Sequence, residues 1–215
     1  MKYVWLIILA LLLPLGAHAA DLKQAELSAQ DQTDVARIEL YLNELKNISA
    51  DFMQIDDQGG IMRGKLAIQR PGKMRANYDP PSKDFIVADG HNVHIWNGEL
   101  KSQTNVDEGS SLANFILRDP ILLRGDVTVT KFQRFPAKME LTLVQTGDPG
   151  AGSLTLIFED HPLILRQWKV LDAQGRTTGV NLENERTDVS FPARTFSFIA
   201  PNFGQSGKDS KGAGP

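Results

Sequence analysis

Between Ile48 and Trp96 the apolar residues recur at every second position, and this period decides most of what such a chain can fold into. In "GKLAIQRPGKMRANYDPP", residues 64–81, Leu66, Ile68 and Arg70 share a face before the Pro71-Gly72 turn, and Met74, Ala76 and Tyr78 share a face after it. Lys65, Ala67 and Gln69, then Arg75, Asn77 and Asp79, take the opposite face. Strict alternation marks strands with one dry and one wet face. Arg70 breaks the rule, because it puts a permanent charge on the dry side. A buried charge needs a partner, since an unpaired one is very costly.

The rest of the chain extends this pattern into a meander. "ISADFMQIDD" reads as a strand, and "FIVADGHNVHIW" as a hairpin with Asp89-Gly90 at its tip. Further strands are predicted in "DVTVTKF", "KMELTLVQ", "SLTLIFE", "LILRQWKVLD", "TTGVNLEN" and "RTFSFIA", about ten in all. Two helices are expected. Val35, Ile38, Tyr41, Leu42 and Leu45 recur at spacings of three and four, giving an amphipathic helix over Thr33–Lys46, capped by Asp31 or Thr33. Asp21 to Gln32 reads as polar and loose. "SSLANFILRDP" reads as a short apolar helix starting near Ser110 or Ser111 and ending before Pro120. A sheet with one apolar face must cover it, and these two helices are the available cover.

The ends read differently. "MKYVWLIILALLLPLGAHAA" has a basic start, a short apolar run and Ala17-His18-Ala19 as a small-x-small site, so residues 1–19 are expected to be a signal peptide. No Cys stands near that site to carry a lipid anchor. Residues 204–215, "GQSGKDSKGAGP", are expected to be a disordered tail. The chain has no Cys and a formal net charge of −3. Thiol chemistry is thereby excluded, and the mild acidity argues against a nucleic-acid partner.

Little in the sequence points to catalysis. His91 and His94 lie three apart on a predicted hairpin, where strand geometry turns them to opposite sides, so they are read as surface residues and no metal is expected. Asp56-Asp57 and Glu159-Asp160 flank turns and read as solvated acids. There is no G-x-S-x-G and no phosphate-cradling glycine loop. No enzyme activity and no cofactor are expected.

"ISADFMQ", then "GKLAIQRPGKMRANYDPP", then "FIVADGHNVHIWN", in that order behind an N-terminal helix, closely resembles the periplasmic outer-membrane lipoprotein carrier family, LolA. The resemblance runs from about Val35 to Phe203. It implies a mainly β fold with helices in one domain over 20–203: an incomplete, strongly curved antiparallel β half-barrel with a helical lid. It implies a carrier in the periplasm of a Gram-negative bacterium that binds the acyl chains of lipoproteins. Its implied partners are an inner-membrane lipoprotein-releasing ABC transporter and an outer-membrane lipoprotein receptor. The chain is expected to act as a monomer. In the family the Arg before this Pro projects inward and bonds to the lid, which makes Arg70 the expected latch, with backbone carbonyls of "LANFILRD" as its partners. The expected acyl-chain cavity is lined by Leu42, Leu66, Ile68, Met74, Ala76, Tyr78, Phe115 and Ile116. Ala76 stands where family members often carry a larger residue, so the cavity is expected to differ in shape. The same scaffold also suits a lipid-binding sensor or receptor domain, or a carrier of another envelope lipid.

Overall fold

The computed structural model describes residues 22–107 and 112–201. The expected signal peptide, the tail and the expected start of the short helix lie outside these residues. One α-helix, α1 (Ala29–Glu44), precedes eleven strands. The first six are β1 (Asn47–Ile55), β2 (Ile61–Gln69), β3 (Lys73–Tyr78), β4 (Phe85–Asp89), β5 (Asn92–Asn97) and β6 (Ser102–Asp107). A 3-10 helix, Leu112–Leu117, then interrupts the meander. The chain resumes with β7 (Val127–Phe135), β8 (Lys138–Gln145), β9 (Gly152–Glu159), β10 (Ile164–Asp172) and β11 (Thr177–Arg186).

All the strands form one antiparallel sheet in the order β6-β5-β4-β3-β2-β1-β11-β10-β9-β8-β7. Two meanders are therefore joined where β1 pairs with β11, and the sheet stays open between β6 and β7. These two edge strands are consecutive among the described strands. The sheet is strongly curved, because residues from both meanders and from α1 meet in one apolar cluster. The fold is an incomplete half-barrel with a helical cover.

The register follows from the alternation. Ala50, Leu66, Ala76, Ile86 and Ile95 are successive cross-strand partners over β1–β5, and Ile48, Ile68, Met74, Ala88 and Val93 form the next row. Both rows face the cluster, as do Met139, Leu141 and Leu143 of β8 opposite Phe158, Leu156 and Leu154 of β9. A slip of one residue would turn each row to solvent. On the outer face Lys65 pairs with Asp51 at 2.7 Å.

Several boundaries differ from the expectation. Helix α1 starts at Ala29, so part of the stretch read as loose is helical. Its cap is Ser28 rather than Asp31 or Thr33: Asp31 N donates to Ser28 Oγ (3.2 Å), and Ser28 N donates to Asp31 Oδ2 (3.1 Å). This reciprocal capping box satisfies two helix-end donors. Strand β6, "SQTNVD", is an edge strand with a single apolar residue, and the alternation test passes over such strands. "RTFSFIA" is not a strand. Residues Ala193–Phe196 form a 3-10 turn, and Phe198 with Ala200 packs on Phe85, Val87 and Trp96 of the outer face. Arg75 faces outward but lies under this segment, with its guanidinium 5.0 Å from the centre of the Phe85 ring and Nη1 donating to the Thr195 carbonyl (3.4 Å).

Candidate functional site: a latched cover on an apolar face

Strand β2 ends at Gln69, and the chain turns through Arg70, Pro71 and Gly72, the last at φ +73°, where glycine is unstrained. Three bonds hold this turn. Arg70 N donates to the Lys46 carbonyl (2.8 Å), Gly72 N donates to the Leu117 carbonyl (2.9 Å), and Arg70 Nη2 donates to the Leu42 carbonyl (2.5 Å). Leu42 lies in the last turn of α1, where carbonyls lack intrahelical partners and the helix dipole favours a cation. Among the described residues the Arg70 side chain is thus bonded to the end of α1, where the family resemblance implies a carbonyl of the lid helix. The lid carbonyl of Leu117 accepts from the Gly72 N–H instead.

Arg70 is 6 % exposed, and its Nε and Nη1 are buried without partners. Burial pushes its pKa down to about 10, against the pull of Asp119 and Tyr41, so it remains a cation at neutral pH. The turn therefore contains a charge that is held by one bond and under-satisfied elsewhere.

Helix α1 spans both meanders. Its C-terminal end meets the Arg70 turn. Near its N-terminal end Arg134 of β7 binds Asp34, with Nε donating to Oδ2 at 3.0 Å, and Arg37 binds Asp160 at 2.8 Å. One face carries Ile38 and Leu42 into the cluster. Tyr41 Oη accepts a bond from Leu165 N (2.9 Å), and its ring meets Phe158 edge-on at 6.1 Å. A polar edge of the helix holds the chain that leaves the lid: Glu39 Oε2 accepts from Leu123 N (2.8 Å), Asn43 pairs with the Ile121 backbone, and Lys46 binds Asp119 (2.7 Å). Phe115, Ile116, Leu117, Ile121 and Leu123 are buried beneath.

Leu42, Leu66, Ile68, Ala76, Tyr78, Phe115 and Ile116 are all buried in one cluster, with Met74 half-buried against it. The expected lining lacks the matching face of β8 and β9, although "KMELTLVQ" and "SLTLIFE" carry the same alternation. It also lacks Gln54, the one polar residue at a buried position of β1, whose Oε1 accepts the Tyr78 hydroxyl (2.8 Å). Gly64 stands between Phe52 and Tyr78 in adjacent strands, and the two rings meet edge-on at 5.3 Å. The Asn43 contact has no signal in the periodicity, since a polar helix position reveals nothing of what its amide will meet.

At the end of the sheet away from Arg70, a cavity of about 870 Å³ lies under the β3–β4 loop. Met62, Tyr78, Pro80 and Pro81 line it, with Arg63 and Lys83 at its sides. His94 is tied to Asp89 (2.9 Å) and Asn105 (2.9 Å) and stacks on Phe198. Among the described residues no three His, Cys, Asp or Glu side chains gather in a way that would hold an ion.

An open curved sheet, apolar on its concave side and covered by a helix and a crossing segment, defines a lidded half-barrel. The chain belongs to the LolA family: the model of the outer membrane lipoprotein carrier protein LolA matches residues 43–199. This is a family of carriers and not of catalysts. The outer-membrane lipoprotein carrier protein of Pseudomonas syringae pv. syringae is 28% identical over 184 residues, 80% of this chain and 86% of that protein. The carrier protein of the same description from Legionella pneumophila is 28% identical over 182 residues, 79% of this chain and 87% of its own length. Among solved structures, a LolA superfamily protein from Nitrosomonas europaea superposes with a TM-score of 0.45 at 9% identity, covering 76% of this chain and 97% of that one.

Proposed function

We propose that this protein is a periplasmic carrier that holds the acyl chains of lipoproteins against its concave face and delivers them from the inner to the outer membrane. On this reading an ABC transporter of the inner membrane loads it and an outer-membrane receptor unloads it. The carrying observation is the pairing of apolar rows across the inner face with a cover that is tied to the sheet at few points. Leu66, Ile68, Met74, Ala76 and Tyr78 would form the floor of the acyl site, and Leu42, Phe115 and Ile116 its roof.

Moving an acyl chain out of water gains about 0.8 kcal/mol per CH₂, so a long chain does not cross an aqueous compartment unaided. A carrier that gained all of this would never release its cargo. Arg70 supplies the counterweight as a latch: closing the empty protein re-forms its bond to α1, and that gain competes with the ligand.

The test is co-expression with a lipidated cargo in a Gram-negative periplasm, followed by purification and mass spectrometry of what is bound. Triacylated lipoprotein in stoichiometric amount is expected. Phospholipid alone would indicate a carrier of another envelope lipid, and an empty protein that accepts no lipoprotein in a loading assay would overturn the reading.

A further inference from the structure

Among the described residues the buried part of the inner face is polar at two places. One is Arg70. The other lies toward the opposite end, where Gln54 and Tyr78 are 6% and 9% exposed and bonded to one another. A neutral polar pair on a face otherwise made of Leu, Ile, Phe and Met is dispensable for packing, because two apolar side chains of the same shape would fill the space at little cost. Burial raises the pKa of the Tyr78 hydroxyl, so it stays protonated and remains a donor. Its ring lies in two environments: it belongs to the core cluster and it lines the 870 Å³ cavity under the β3–β4 loop. Met62 does the same. The apolar face and that cavity are therefore adjoining spaces with Tyr78 at the boundary. The cavity falls within the size range of ligand sites, its lining is mostly apolar, and the charged Arg63, Lys83, Asp79 and Glu99 stand around it, so it suits the part of an amphipathic molecule where apolar chains meet a hydrated head.

We propose that Gln54 and Tyr78 form the polar subsite of the acyl-binding face, where their amide and hydroxyl donate hydrogen bonds to the ester carbonyls at the head of the acyl chains, while the cavity beyond Tyr78 takes the hydrophilic part of the same molecule. This rests on the carrier reading above. It assigns an orientation to the cargo, with chains running toward Arg70 and the head toward the β3–β4 loop. When the site is empty the two side chains satisfy each other.

The experiment measures binding of a synthetic dipalmitoyl-glycerylcysteinyl peptide and of its diether analogue, which lacks both ester carbonyls. The full chain should bind the diester about five- to tenfold more tightly than the diether. The double variant Tyr78→Phe/Gln54→Met should bind the two alike. As a second measurement, the infrared stretch of a ¹³C-labelled ester carbonyl should shift to lower frequency on binding the natural chain and shift less with Tyr78→Phe alone, which keeps the ring against Phe52. Equal binding of diester and diether by the natural chain, or a preference that survives both substitutions, would overturn the subsite and leave the carrier reading standing. If neither lipopeptide binds the natural chain, the carrier reading fails with it.

Discussion

Asn43 reads the backbone of Ile121 in both directions: its Nδ2 donates to the Ile121 carbonyl at 2.8 Å, and its Oδ1 accepts the Ile121 N–H at 2.9 Å. The amide thus imitates a strand partner for a residue that has none. With Glu39 one turn before it and Lys46 just after the helix, it makes α1 and the chain leaving the lid a single cover.

Replacing Asn43 by Ala should uncouple the two parts. A partly buried N–H and C=O would be left without partners, at a cost of about 1–3 kcal/mol. Hydrogen exchange should accelerate at Ile121 and Leu123, while amides of β8 and β9 should keep their protection. Equal loss across the whole chain would show that the cover does not open as a separate unit.

Gly64 makes a prediction about the inner face. A Cβ at this position would lie 2.1 Å from the Asn77 carbonyl oxygen and 2.7 Å from the Phe52 ring. The backbone oxygen is held in the β2–β3 ladder and cannot step aside, so Gly64→Ala should destabilise by about 1–3 kcal/mol or more. Gly147→Ala serves as the control, because a Cβ there meets nothing within 4 Å. Chemical denaturation of the two variants checks the difference.

Acid stability should depend on the β4–β5 hairpin. Burial pushes the Asp89 carboxyl up, but bonds from Asn92 N, His94 and His91 N outweigh it and hold it at about 2. A carboxyl depressed in the folded state contributes stability above its unfolded pKa of about 3.9, and that contribution is lost as the pH falls through the folded value. Between pH 4 and 2 the melting temperature should therefore drop more steeply in the natural chain than in Asp89→Asn. Parallel curves would show that Asp89 contributes nothing to this loss.

The sheet was legible from the sequence because one physical quantity, the side-chain period, controls it. Leu66, Ile68, Ala76 and Tyr78 had to share a face, and the fold keeps them there. What escaped was set by other forces. Strand β6 is polar because it is an edge. Phe196 and Phe198 alternate as strand residues do, yet Phe198 covers the outer face of β4 and β5. A trace of that contact was present in "FIVA", an unbroken apolar run that reads naturally as a strand buried on both faces. Arg70 was legible as an inward charge, but its partner was not, since every backbone offers carbonyls and only the fold decides which are free.

Arg70→Leu tests the latch, and the structure sharpens what it should do. Among the described residues the guanidinium makes one bond, to Leu42 of α1, and leaves Nε and Nη1 buried without partners. Substitution removes a charge-assisted bond of about 1.5–3 kcal/mol, and it also removes two unsatisfied donors whose burial is costly. The two effects oppose each other, so global stability should change little. The loss is local to the C-terminal end of α1, where Leu42 regains a free carbonyl. Because Asn43 and Lys46 bind residues 119–121, the lid should move with the helix, pivoting on the Asp34–Arg134 and Arg37–Asp160 pairs at its other end. Exchange at Leu42, Asn43 and Leu117 should rise in the empty protein. Relieved burial offsets part of the lost bond, so the closed state is weakened by less than the whole bond and lipopeptide should bind about two- to tenfold more tightly. Transfer to an acceptor membrane should slow, because release no longer regains the bond to Leu42. If Arg70 only braces the fold, the variant should instead melt early and hand over its cargo at the normal rate. Melting temperature and transfer of a labelled lipoprotein, measured on the same preparation, separate a latch from a brace.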